Sequence, residues 1–151
     1  MKSDCSSDAN SLDGANSNQP LSGLSLLVVE DQFIVAVGIE QTFKDAGAQH
    51  VTVVGSIEEA WEALRNAHFD AVLLDIRLHD GLSFPLATQL LSDQVPVVIH
   101  SGHAEVYHAV ELPGAVFCPK PAKPSEIVAA TIQAQQMMAS KSGEPNSKPA
   151  T

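Results

Sequence analysis

Between residues 22 and 140 the apolar positions change rhythm repeatedly. Leu24 to Val29 is a continuous apolar run broken only by Ser25, the pattern of a strand covered on both faces. Val35, Ile39, Phe43 and Ala46 then mark one side of a helix, and Gly47 offers it a left-handed stop. Val51 to Val54 predicts a second strand. Ser56 and Glu59 have the spacing of a capping box, opening a helix whose Ile57, Ala60, Leu64 and Ala67 share a face. Ala71 to Leu74 predicts a third strand, ending at Asp75, and Pro85 fits the first turn of a helix reaching about Leu91. Val97 to His100 predicts a fourth strand, Ala104 to Glu111 a short helix, and Ala115 to Cys118 a fifth strand. From Pro124 a last helix is expected to run to about Ser140.

Strands alternating with helices in this way imply an α/β fold, with right-handed crossovers, a five-stranded parallel sheet and helices on both faces. Ligands of such sheets bind beyond the carboxyl ends of the strands, where the strand order reverses.

Composition narrows the picture. With 151 residues, 44% of them apolar, the chain suits a single domain, placed here at 22–140. Residues 1–20 and 141–151 are rich in Ser, Asn, Asp and Pro and have little to bury, so both are expected to be disordered tails. Eight Lys and Arg against eighteen acidic residues give a net charge of -10, which excludes a broad basic face for nucleic acid. Cys5 and Cys118 offer no disulfide framework, and neither a secretory signal nor a membrane-spanning run is visible, so a soluble cytoplasmic protein is expected.

The predicted strand ends carry the candidate chemistry. Glu30 and Asp31 end the first strand, Asp75 the third, Ser101 the fourth and Lys120 the fifth, so the fold would gather all five at one rim. Two carboxylates about 4 Å apart repel by roughly 4 kcal/mol at an effective dielectric of about 20. A hard divalent cation such as Mg²⁺ offsets that repulsion and keeps positions open for phosphate oxygens. Asp75 then reads as a carboxylate nucleophile beside a metal, Lys120 as a counter-charge for phosphoryl oxygens, and Ser101 as a hydrogen-bond donor to them. Gly102 would give a phosphoryl donor room to approach, and the Arg77 backbone carbonyl would complete the metal shell. Each feature has a plainer use, as a solvated acidic loop, a turn or a strand exit. Their placement at successive strand ends favours function. His100, His103 and His108 lie in one segment but lack the cysteine or carboxylate spacing of a zinc site.

The segments "LLVVEDQ", "DAVLLDIRL", "PVVIHSGH" and "AVFCPKP" together resemble a bacterial response-regulator receiver domain of the stand-alone type, over residues 22–140. That resemblance implies a flavodoxin-like fold with strand order 2-1-3-4-5, Asp75 as phosphoacceptor, and Mg²⁺ held by Glu30, Asp31, Asp75 and the Arg77 carbonyl. Ser101 and Phe117 would form the switch. The implied partners are a histidine kinase or histidine phosphotransfer protein and a downstream protein target. A homodimer through the fourth helix, fifth strand and fifth helix is also implied. Three positions depart from the family pattern. His79 stands where proline is usual, glycine arrives early as Gly81, and Lys123 occupies the cap before the last helix. A Mg²⁺-dependent aspartyl-nucleophile phosphohydrolase and a phosphorylation-independent interaction module are the alternatives. The E-D-Q order on the first strand disfavours the former, and the intact acidic set disfavours the latter.

Overall fold

The computed structural model describes residues 19–102 and 112–147. The expected short helix Ala104 to Glu111, with His103 and His108 beside and within it, lies outside the described residues, as do residues 1–18 with Cys5. In chain order the described elements are β1 (Ser25–Val29), α1 (Phe33–Asp45), β2 (His50–Val54), α2 (Ile57–Asn66), β3 (Ala71–Leu74), β4 (Arg77–Leu78), β5 (Gly81–Leu82), α3 (Phe84–Ser92), β6 (Val97–Ser101), β7 (Val116–Pro119) and α4 (Pro124–Ser147).

Five strands pair in parallel in the order β2-β1-β3-β6-β7. Counting these core strands alone, this is the expected flavodoxin-like order 2-1-3-4-5. The alternation of side chains along each strand sorts the core into two layers. Leu26 and Val28 meet Ile39 and Phe43 of α1 and Ile127 and Ala130 of α4. Leu27 and Val29, one residue out of step, meet Ala60 of α2 and Leu86 and Leu90 of α3. Burying each such Leu or Phe contributes about 1.5–3 kcal/mol. A slip of one residue would exchange the two layers, so register is strongly set.

Helix ends follow identifiable causes. Gly47 stops α1 with φ +99°, and a Cβ there would stand 2.6 Å from Gln19 Cβ, so only glycine fits. Ser56 accepts from Glu59 N–H at 3.1 Å, as the capping box predicts, but Glu59 returns its carboxylate to Gly55 N–H at 2.8 Å, one residue further back. Ala67 does not join the buried face of α2; it is exposed and extended beyond the helix end, and Trp61 and Ala63 pack there instead. Lys123 proves a workable start for α4 because Glu126 accepts its backbone N–H at 2.8 Å, the half of a capping box that needs no side chain at the cap itself.

The last helix continues to Ser147, seven residues past the expected end near Ser140, so the tail expected over 141–151 begins in helix. Extension adds one hydrogen bond per residue fixed, without repeating the cost of nucleation. Among the described residues no helix is long and apolar enough to cross a membrane.

Candidate functional site

The carboxyl rim of the sheet collects polar residues that the strands bury almost completely. Glu30, just past β1, is 2% exposed, and its N–H donates to Val54 O at 3.0 Å. Its Oε2 accepts from Gln32 N–H at 3.0 Å. Asp75, just past β3, is 5% exposed and held by its N–H to Val29 O at 3.1 Å. Asp75 Oδ1 accepts a long bond from Arg77 N–H at 3.3 Å, and Oδ2 accepts from Lys120 Nζ at 2.8 Å. Lys120, just past β7 and before a cis peptide bond to Pro121, also places Nζ 2.9 Å from Glu30 Oε1. That second contact is an ion pair without hydrogen-bond alignment, so Glu30 Oε1 is buried with no donor aimed at it.

These neighbours set the protonation of the rim. Burial pushes the Glu30 carboxyl above its ordinary range, and the Lys120 ammonium and Gln32 N–H only partly offset it. Burial alone would lower Lys120, but Asp75 and Glu30 outweigh it and hold the ammonium above its ordinary value. Asp31 is exposed, and its Oδ2 accepts from His79 N–H at 2.9 Å.

One carboxylate oxygen from each of Glu30, Asp31 and Asp75 lies within 4.8 Å of the others. Lys120 supplies one positive charge among these three acids. Hard oxygen ligands and a surplus of negative charge fit a divalent cation of the Mg²⁺ kind. Asp31 and Asp75 open onto a cleft of about 520 Å³ also lined by Arg77, His79, Gly102 and Lys120. A Cβ at Gly102 would stand 3.9 Å from Lys120 Cβ, an ordinary contact, so its lack of a side chain is not forced by packing.

The other expected residues are placed as follows. Ser101 ends β6 fully buried, and its carbonyl accepts from Lys120 N–H at 3.1 Å. Phe117 lies half-buried on β7, paired with Ile99, and packs into the layer shared with α2 and α3. His100 is buried, with Nδ1 2.8 Å from Cys118 O. Cys118 is a buried free thiol, raised above its ordinary value by burial and then by Glu126.

Two residues near the site escaped the sequence reading. Ser83 is fully buried and donates its hydroxyl to the Asp75 carbonyl at 2.6 Å, tying the start of α3 to the candidate nucleophile's backbone. Asp80 accepts from Ile57 N–H at 3.1 Å with each oxygen and from Glu58 N–H at 3.3 Å, so it caps α2 from a distant loop. These bonds hold its carboxyl below the ordinary carboxylate value, those of Ile57 foremost. The loop itself carries His79 and Gly81, two of the departures from the family pattern. It forms an antiparallel hairpin, β4 against β5, with Gly81 at φ +137°. Only the "DG" at 80–81 hinted at it.

Comparison with known proteins bears on the family and the fold. The family described as "Response regulator receiver domain" matches residues 26–132. A response regulator receiver protein from Sinorhizobium medicae is 28% identical, with a TM-score of 0.70 over 78% of this chain and 98% of that one. A putative response regulator from Chloroflexus aurantiacus is 25% identical, with a TM-score of 0.66 over 78% of this chain and 99% of that one. The PhyR stress response regulator is 25% identical at a TM-score of 0.64, and this chain aligns with 53% of its length. A search of curated proteins finds no match.

Proposed function

This chain belongs to the response regulator receiver-domain family, and on that premise we propose that Asp75 accepts a phosphoryl group from a phosphohistidine. The donor would be a histidine kinase or a histidine phosphotransfer protein. A carboxylate oxygen of Asp75 forms the new P–O bond, the P–N bond to the donor imidazole breaks, and the departing nitrogen takes up a proton. The observation that carries this reading is the placement of Asp75 at the floor of an open cleft, with Lys120 on one oxygen at 2.8 Å and two more carboxylates within 4.8 Å.

Glu30, Asp31 and Asp75, with the Arg77 carbonyl, would hold Mg²⁺, which when bound offsets carboxylate repulsion and polarises phosphoryl oxygens. Lys120 exchanges its contact with Asp75 Oδ2 for one with the new phosphoryl dianion. Ser101 donates its hydroxyl to a phosphoryl oxygen, and Phe117 fills the space that this movement vacates. The changed face of β7 and α4 then recruits a downstream protein, by phosphorylation biasing a two-state segment. The protein donor approaches over the first turns of α1, where Phe33, Ile34 and Val37 are exposed beside the acids. Homodimerisation through β7, α4 and the segment expected to supply the fourth helix, and a cytoplasmic location, belong to the same proposal.

The test is phosphate incorporation in the presence of Mg²⁺ from a histidine kinase and from a small acyl-phosphate donor. Asp75→Asn is expected to abolish both. Full labelling of that variant would defeat the assignment.

A further inference from the structure

The hairpin that follows Asp75 is anchored at two points, and the anchors pull on different parts of the molecule. At its turn, Asp80 turns back to α2 and takes hydrogen bonds from Ile57 and Glu58 at 3.1–3.3 Å. One residue earlier, His79 N–H donates to Asp31 Oδ2 at 2.9 Å. Gly81 meets the turn's demand for a positive φ, +137°, while a Cβ there would make only an ordinary 3.7 Å contact with Ile57 Cδ1. Asp31 is the least buried of the three acids, its side chain 24% exposed, whereas Glu30 and Asp75 are fixed by burial. A partly exposed carboxylate samples more than one rotamer unless a donor selects one. The imidazole of His79 is a weak candidate for that donor: its Nδ1 lies 3.8 Å from Asp31 Oδ2, beyond hydrogen-bonding distance, and its side chain is 67% exposed. The backbone amide has the right distance.

We propose that the β4–β5 hairpin is a strut: braced on α2 through Asp80, it holds Asp31 in its ligating orientation through the backbone amide of His79. His79 and Asp80 are thereby positioning residues for divalent-cation uptake, although neither is a ligand. The inference rests on the reading of the acidic cleft as a Mg²⁺ site. It adds that the site's geometry is set in part by a helix on the far side of a loop. Groups that orient metal ligands typically change affinity by about 10- to 100-fold when lost.

Calorimetric titration of Mg²⁺ into the full chain, with no phosphodonor present, tests the strut separately from phosphoryl transfer. His79→Pro deletes the N–H and is expected to weaken uptake by about tenfold or more. His79→Ala removes the imidazole, keeps the N–H, and is expected to bind as the unaltered protein does. Asp80→Ala releases the hairpin from α2 without touching the acids and is expected to weaken uptake severalfold while the circular dichroism spectrum is retained. Unaltered affinity in folded His79→Pro, or an equal loss in His79→Ala, overturns the strut and leaves the Mg²⁺ reading standing. Should His79→Pro unfold, unaltered affinity in Asp80→Ala overturns it equally. An unaltered protein that takes up no Mg²⁺ overturns the strut together with the reading beneath it.

Discussion

Helices α1 and α2 both follow a core strand closely, and their first turns are built on opposite plans. At α2, Ser56 caps the helix, Glu58 and Glu59 stand in its first turn, and Asp80 arrives from the hairpin to accept two more backbone N–H groups. Each device suits the positive end of the helix dipole. At α1, Gln32 makes no side-chain cap, the first turn holds no acid, and Phe33 and Ile34 are 77% and 79% exposed. The negative charge near that end belongs to Glu30 and Asp31, which precede the helix, and Asp31 lines the cleft. One helix start is settled for stability, while the other is given over to the site. Local rules are broken where function is proposed, as is usual in folded proteins.

The largest test of that contrast removes the charge that keeps the α1 side tolerable. Lys120→Met leaves Glu30 and Asp75 facing each other without a cation. Breaking a buried ion pair in this way costs about 3 kcal/mol, at the low end because the Lys120 side chain is 20% exposed. Urea unfolding in a chelator should show that loss, and added Mg²⁺ should restore part of it. Glu30 adds a pH dependence of known sign. Its folded-state carboxyl titrates above the ordinary 4.5, so over that window the folded state binds more protons than the unfolded one. Its stabilising contribution is full below pH 4.5 and is lost as pH rises through the raised value. Chelated Glu30→Gln should therefore gain stability relative to the unaltered protein as pH rises from 4.5, and a parallel pair of curves would contradict the buried-carboxyl account.

Much of this contrast was legible in the sequence. Short continuous apolar runs gave the five core strands, because each is covered on both faces, and strand ends then located Glu30, Asp75, Ser101 and Lys120. Ser56 and Glu59 announced the start of α2. What stayed hidden depended on contacts between residues far apart in the chain. Asp80 lies more than twenty positions from the helix it caps, and no local pattern pairs them. Ser83 reads as an ordinary helix start, although its hydroxyl is turned to the Asp75 carbonyl instead of to the helix. A lysine side chain has no acceptor to offer at a helix start, and at Lys123 the Glu126 carboxylate supplies one instead.

The next effect in size concerns the apolar residues that open α1. Ile34→Lys should slow phosphoryl transfer from a protein donor by about tenfold, the scale of losing a central interface contact. It should leave labelling by a small acyl phosphate intact, and urea unfolding should move by less than about 0.5 kcal/mol, since the side chain is already in water. Equal slowing with both donors would place Ile34 in the chemistry instead of the docking. On the other side of the comparison, Ser56→Ala should destabilise the protein by about 1 kcal/mol through loss of the α2 cap, with phosphoryl transfer unaffected.

The smallest effect is the most direct probe of whether α1 forgoes stability. Gln32 already has the extended backbone of a cap, with φ -89° and ψ 113°, but its side chain accepts no bond from the helix. Gln32→Ser needs no backbone change to place a hydroxyl within reach of the N–H groups of the first turn. The expected gain is about 0.5–1 kcal/mol, read as a higher urea midpoint at unchanged slope. Gln32 N–H also serves Glu30 Oε2 at 3.0 Å, and the substitution preserves that bond because it belongs to the backbone. Mg²⁺ uptake should therefore be retained while stability rises. A gain in stability bought with weaker Mg²⁺ binding would mean that the uncapped turn is itself part of the site, its N–H groups aimed at the acids instead of along the helix. No gain at all would mean that Glu30 and its neighbours already satisfy that turn, and the two helix starts would differ in the source of their capping and not in its extent.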